Sequence, residues 1–152
     1  MSPTTSSLLL KDYFVEELFC KANEKFDPSR QRAVGIEDLT IIADARASKK
    51  KSEGWQVRLV VFHQTEDGSN SPYSFRISLV GFFNVDDKYP AANAEWLIKT
   101  NAPSVLYSAA REIIRRTTQD GPWLGVLLPT ASFYTDELKA LIARKKHKRA
   151  HS

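Results

Sequence analysis

Apolar and polar residues alternate with a period of two through much of the first half of this chain. Val57, Leu59 and Val61 fall on one side of an extended segment over residues 55–64. Gln56, Arg58, Val60 and Phe62 fall on the other. Residues 73–85 alternate most cleanly, with Tyr73, Phe75, Ile77 and Leu79 opposed to Ser74, Arg76 and Ser78. Within residues 36–46, Leu39, Ile41 and Ala43 alternate with Thr40, Ile42 and Asp44. Residues 11–22 are rich in aromatic and β-branched side chains, which suits a strand, although Glu16-Glu17-Leu18 would also suit a helix. Four strands are therefore predicted. Between the first two lies a polar stretch, 23–35, with Asp27-Pro28-Ser29 as a turn signal. It is long enough to cross a sheet rather than close a hairpin. Charged residues 49–54 and the Asp67-Gly68 turn separate the remaining strands. The reverse face of the third strand is partly apolar, so it calls for a cover.

The second half changes period. Residues 91–99 read as a short helical segment. Asn101 then caps a longer helix, with Pro103 tolerated in its first turn. Val105, Leu106, Ala109, Ala110, Ile113 and Ile114 form a stripe at helical spacing, and Gly121-Pro122 ends it. The apolar run 123–129 ends in Pro129 and directly follows Pro122, and reads as an extended buried loop. Thr135 caps a last helix whose inward face is Leu138, Leu141 and Ile142. The fold class is α+β: a four-stranded antiparallel sheet with a crossover loop, a long helix and a C-terminal helix.

Composition narrows the class. The 152 residues suit one domain, and 42% apolar with 26% charged residues is a globular mix. No apolar run reaches membrane-spanning length, and the first ten residues lack the basic region of a signal peptide. The single cysteine, Cys20, fits a reducing compartment, so a cytoplasmic location is expected. The net charge of +4 is local: Arg144, Lys145, Lys146, Lys148 and Arg149 lie within six residues. With these five set aside, the 22 Lys and Arg fall to 17 against 18 Asp and Glu. Residues 143–152 thus form a basic, flexible tail on a nearly neutral body, suited to solvent or to an anionic partner.

Catalytic chemistry finds little support. Cys20 lies in an apolar strand, and one cysteine with three histidines makes no conventional zinc site. Acid pairs occur only as neighbours, such as Glu16-Glu17 and Asp86-Asp87, which in a strand point to opposite faces. No phosphate-cradling glycine loop is present. No enzyme activity and no cofactor are expected. Aromatic residues are plentiful instead, with eight Phe, five Tyr and three Trp, several of them in loops. An apolar patch rimmed by polar groups marks a binding surface.

Several motifs, in order, resemble one family. Leu10-Lys11-Asp12 followed by Phe14-Val15-Glu16, then Gly81-Phe82-Phe83, then Asn101-Ala102-Pro103 to Tyr107 with Ala110-Arg111-Glu112, are similar to SecB and SecB-like chaperones, including those paired with toxin–antitoxin systems. Gly121-Pro122-Trp123-Leu124, Leu127-Leu128-Pro129 and Phe133 continue the match, with Ser132 where the family has Asn. The resemblance covers residues 8–142. It implies an ATP-independent holdase, a homotetramer built as a dimer of dimers, and unfolded polypeptide clients. It also implies a client groove between the crossover loop, the second strand and the last helix. By position, Phe26, Leu39, Ile41, Leu128, Phe133 and Tyr134 would line that groove, and Tyr107, Ala110 and Ile114 would lie in the oligomer interface. Asp12 and Glu16 match acids that hold the basic tail of the export motor SecA. Arg76, however, stands where an acid is expected, and the tail is basic. An antitoxin client fits that charge pattern as well as export does. The rival readings are a nucleic-acid-binding module, using the tail with Arg115 and Arg116, and a ligand-binding α+β domain with an enclosed polar cavity.

Overall fold

The structure is a computed structural model that describes residues 1–49, 54–65, 69–133, 144 and 146–151. The four expected strands form: β1 (Leu8–Ala22), β2 (Thr40–Ala47), β3 (Trp55–His63) and β4 (Tyr73–Val85), although Ile36–Asp38, expected within the second strand, make a 3-10 turn before it. They make one antiparallel sheet in the order β1-β4-β3-β2. The two strands earliest in sequence are therefore its opposite edges, and residues 23–39 must cross the whole sheet to join them.

The two faces of the sheet differ. Val57, Leu59, Val61, Phe75, Ile77 and Leu79 point to the front and are at most 1% exposed. Among the described residues one helix, α1 (Ala94–Gln119), covers them. The sequence suggests two helical segments divided at Asn101, yet the helix runs through with Pro103 in its interior. An interior proline costs about 3 kcal/mol. Against this, Ile98, Ala102, Leu106 and Tyr107 are all nearly fully buried on the sheet, and each large apolar side chain contributes about 1.5–3 kcal/mol. Packing outweighs the local penalty. Gly81 makes the close approach possible, because a Cβ there would sit 2.7 Å from a Leu106 methyl.

The back face is less covered than its apolar content suggests. Phe14 and Phe19 are 49% exposed, Ile42 53% and Phe82 39%. The chief departure from simple alternation is in β1, where the register shifts between Leu10 and Asp12 and again between Val15 and Glu17. Such a bulge puts two residues opposite one and re-aims the side chains beyond it. Glu16 and Glu17 consequently do not diverge. Glu16 accepts two bonds from the Arg58 guanidinium, at 2.9 and 3.0 Å, and one from the Ser78 hydroxyl, while Glu17 pairs with Arg76 at 3.1 Å.

Beyond α1 the chain returns along the helix without regular structure. Val126 and Leu128 turn inward, whereas Leu124 and Leu127 are largely exposed. Residues 146–150 are helical. The start of the last predicted helix, with Thr135, Leu138, Leu141 and Ile142, lies outside the described residues. Among the described residues no helix is long and apolar enough to cross a membrane.

Candidate functional site

An open apolar trough of about 810 Å³ runs beside β2. Ile41, Ala43 and Ala45 supply one side, and Val57 and Pro103 lie at its floor. Ile36 stands at one rim, and residues 130–133, ending in Phe133, form the opposite wall. Asp44 and Lys99 are its charged members, each already paired: Asp44 with Arg46 at 3.1 Å and Lys99 with Glu95 at 2.7 Å. β2 is an edge strand, and three of its eight residues are alanine.

Both walls are held by long-range contacts. On the helix side, the Tyr107 hydroxyl donates to the Pro129 carbonyl, and Arg111 Nε donates to the Leu128 carbonyl at 3.0 Å. The Thr118 hydroxyl accepts from the Val126 N–H at 2.8 Å. The Tyr107 ring meets Phe133 edge-on at 5.9 Å, which aims Phe133 at the trough. Burial raises the Tyr107 phenol above its ordinary pKa, so it remains a donor.

On the crossover side, the Asn70 side-chain amide accepts from the Asp27 N–H at 2.7 Å and donates to the Asp27 carbonyl at 3.0 Å, and Trp123 Nε1 donates to the Asn23 carbonyl at 3.1 Å. Arg32 clamps the Asp38 carboxylate with two bonds, at 3.0 and 2.9 Å, and the Gly35 N–H donates to it as well. Arg32, then Gly35, holds the Asp38 carboxyl below its ordinary pKa of 3.8. His63 Nδ1 lies 2.8 Å from the Asp38 carbonyl and so carries the proton, and Nε2 lies 2.7 Å from the Ser71 hydroxyl. Arg32, Asp38, His63, Asn70 and Ser71 line a cavity of about 390 Å³. Their polar atoms are engaged with one another in pinning the crossover, so they do not converge on a vacant centre.

The six expected groove residues separate. Ile41 and Phe133 line the trough. Leu39 is half-buried against the core behind it. Phe26 is 6% exposed and packs edge-on against Trp123 at 5.2 Å, so it anchors the crossover. Leu128 is fully buried. Tyr134 lies outside the described residues. Ile36, 46% exposed at the rim, was not anticipated; its signal is an apolar side chain set alone among Gly35, Glu37 and Asp38. Tyr107, Ala110 and Ile114, expected at an oligomer interface, are 2%, 0% and 0% exposed within their own chain. They face the sheet because the stripe they belong to is the one α1 uses to cover it. Arg115 and Arg116 are bound by Glu112, whose carboxyl their hydrogen bonds pull down to about 2. Their charge is offset by that shared carboxylate.

Burial pushes the Cys20 thiol above its ordinary pKa, which disfavours the nucleophilic thiolate. Among the described residues no group of His, Cys, Asp and Glu could hold a metal ion.

Among the described residues, an open four-stranded sheet, one covering helix and an apolar trough at an edge strand define an α+β protein. Residues 14–139 match the SecB family, described as preprotein translocase subunit SecB. The chain belongs to that family, whose members are chaperones and not enzymes. Two protein-export proteins SecB from Rhodopseudomonas palustris, strains BisB5 and TIE-1, are 28% and 32% identical to it over 95 residues. Those segments span 62% of this chain and 60% of each relative. The fold is also that of a SecB-like chaperone from Mycobacterium tuberculosis, solved in complex with a ChAD peptide from the HigA1 antitoxin. The TM-score is 0.58 at 13% identity, covering 83% of this chain and 88% of the other.

Proposed function

We propose that this protein is an ATP-independent holdase that receives unfolded polypeptide in the trough beside β2. The observation that carries the reading is the trough itself: apolar, open, and bordered by a strand edge that is unpaired among the described residues, in a chain of the SecB family. An extended client would pair its backbone with β2 and bury alternate side chains against Ile36, Ile41 and Phe133. Each buried apolar side chain contributes about 1.5–3 kcal/mol, so several weak contacts along one client give useful retention.

An antitoxin segment is the client class we favour. The solved relative holds a peptide from an antitoxin, and the electrostatics of the back face disfavour the basic tail of SecA. Of the two acids expected to meet that tail, Glu16 is bound by Arg58 and Ser78, which lower its pKa, and Arg76 sits nearby on the same face. We also propose that copies of the chain assemble along β1. This strand is an unpaired edge of 15 residues, and Leu10, Tyr13, Val15 and Leu18 line its front face, each 40–44% exposed. The assembly surface is thus moved from the buried stripe of α1 to the edge of the sheet.

The test is light scattering of a refolding client diluted from denaturant, without nucleotide. The protein should suppress aggregation near stoichiometric amounts, and filling the trough by Ala43→Trp should remove most of that effect. Unchanged aggregation with the unaltered protein would overturn the proposal.

A further inference from the structure

The far wall of the trough has no ladder to hold it. Among the described residues, 124–133 are irregular and make no backbone–backbone hydrogen bond. Side chains of α1 set their place instead. The returning chain runs antiparallel to the helix. The Thr118 hydroxyl meets the Val126 N–H, Arg111 Nε donates to the Leu128 carbonyl, and the Tyr107 hydroxyl donates to the Pro129 carbonyl. Tyr107 and Arg111 are four residues apart, so they stack on one side of the helix. They therefore grip two consecutive carbonyls. Leu128 is fully buried at the same point, and the Pro129 ring restricts the backbone there. Residues 130–133 continue from this point as the trough wall. Arg111 also differs from its neighbours in what it binds. Seven arginines stand in ion pairs with carboxylates. Arg111 pairs with no carboxylate among the described residues, and its Nε–H goes to a main-chain carbonyl. A charged donor makes the stronger bond to such a carbonyl.

We propose that Tyr107 and Arg111 are positioning residues for client capture: they clamp the Leu128 and Pro129 carbonyls and so fix the distance between Phe133 and β2. The inference rests on the holdase reading and adds to it what sets the width of the trough. The Tyr107 ring also meets Phe133 edge-on at 5.9 Å, so one side chain holds the wall at both ends of 129–133. Arg111 grips one residue earlier, which stops the segment from pivoting about the Tyr107 contact. On the opposite side Ile41, Ala43 and Ala45 are held by the pairing of β2 with β3. An arriving side chain then finds the wall already in place, and binding need not order it. With the clamp open, each binding event would carry that ordering cost, and bound segments would leave sooner.

The experiment compares the full chain with a variant carrying Tyr107→Phe and Arg111→Met, which keeps the ring and an unbranched stem and removes both donors. Stopped-flow displacement of fluorescein-labelled, reduced and carboxymethylated lactalbumin, a permanently unfolded chain, gives the client dissociation rate at room temperature. That rate should rise about tenfold in the variant. Far-UV circular dichroism should be unchanged, and Tm should fall by about 5–10 °C. A role confined to stability would lower Tm and leave dissociation from the folded protein as it was. Arg111→Met alone, which spares the buried ring, should raise the rate about threefold. A second measurement needs no client. Ser132 is exposed on the wall, and a nitroxide on Ser132→Cys, in a Cys20→Ala background, should give a broad, immobilised spectrum with the clamp intact and a narrow one in the double variant. Equal dissociation rates or equal label mobility would overturn this proposal alone. Failure of the unaltered chain to hold the client would overturn the holdase reading and, with it, the role in capture, whatever the label shows.

Discussion

β1 and β2 close the same sheet on opposite sides and share little else. β1 is 15 residues long and is bulged twice. It carries large apolar side chains on both faces, with Tyr13, Val15 and Leu18 on the front and Phe14 and Phe19 on the back. β2 has eight residues, three of them alanine, and borders an open trough. A long edge with bulky anchors favours one lasting partner of fixed register, since every anchor must find its place. A short edge beside an open trough offers backbone and space but few specific demands, which suits partners that differ in sequence and leave again. On this reading the sheet assigns assembly to one side and capture to the other.

The sharpest way to break that division is to charge β1. Val15→Asp combined with Leu18→Asp would leave the protomer folded, because both side chains are over 40% exposed, but would bury two unpaired carboxylates in any contact between copies. Association should weaken a hundredfold or more. Light scattering behind size exclusion should then give the 17.2 kDa of a single chain. An unaltered solution mass would place assembly elsewhere.

Changes beside β2 should act the other way, altering capture and not mass. Ile36→Ser or Phe133→Ala each removes one apolar contact, so client affinity should fall about tenfold or more with the oligomer intact. Leu128→Ala serves as the contrast. Its side chain is fully buried, so it should cost about 2–5 kcal/mol of stability, read as a lower Tm. Loss of capture by Phe133→Ala only through unfolding would make that residue core.

A smaller effect concerns acid. Asp38 has its pKa lowered in the folded chain, chiefly by Arg32 and then by the Gly35 N–H. Its contribution is therefore complete above the ordinary value of 3.8 and is lost as pH falls through the lower folded value. Amide exchange in residues 32–39 should speed up below about pH 4 while β3 and β4 stay protected, and Asp38→Asn should abolish that pH dependence. Exchange that rises equally in β4 would mean the crossover has no separate stability.

Much of the sheet was legible because alternation is a direct image of a half-buried strand. β4 appears over the residues its pattern marks, and Val57, Leu59 and Val61 are buried as their spacing implies. The bulges of β1 were not legible, because they are set by pairing with β4 and leave no mark in local composition. They alone bring Glu16 and Glu17 to one face. Pro103 misled for a related reason: its local cost is visible in sequence, and the packing that overrides it is not. The trough was half legible. Phe26, Leu128 and Phe133 are all apolar residues in irregular segments, and nothing local distinguishes a side chain that plugs inward from one that lines an opening. The neighbours that decide it, Trp123 for Phe26 and Tyr107 for Phe133, are far away in sequence.

The clasp between Trp123 and the crossover has a practical consequence. Its indole is edge-on to Phe26 and donates to the Asn23 carbonyl, so lifting the crossover would expose the ring to water and shift its emission to the red. With Trp55 and Trp96 replaced by Phe, the chain would hold one intrinsic fluorophore positioned to report, in real time and without a label, whether that strap stays closed while the far side of the sheet takes up a guest.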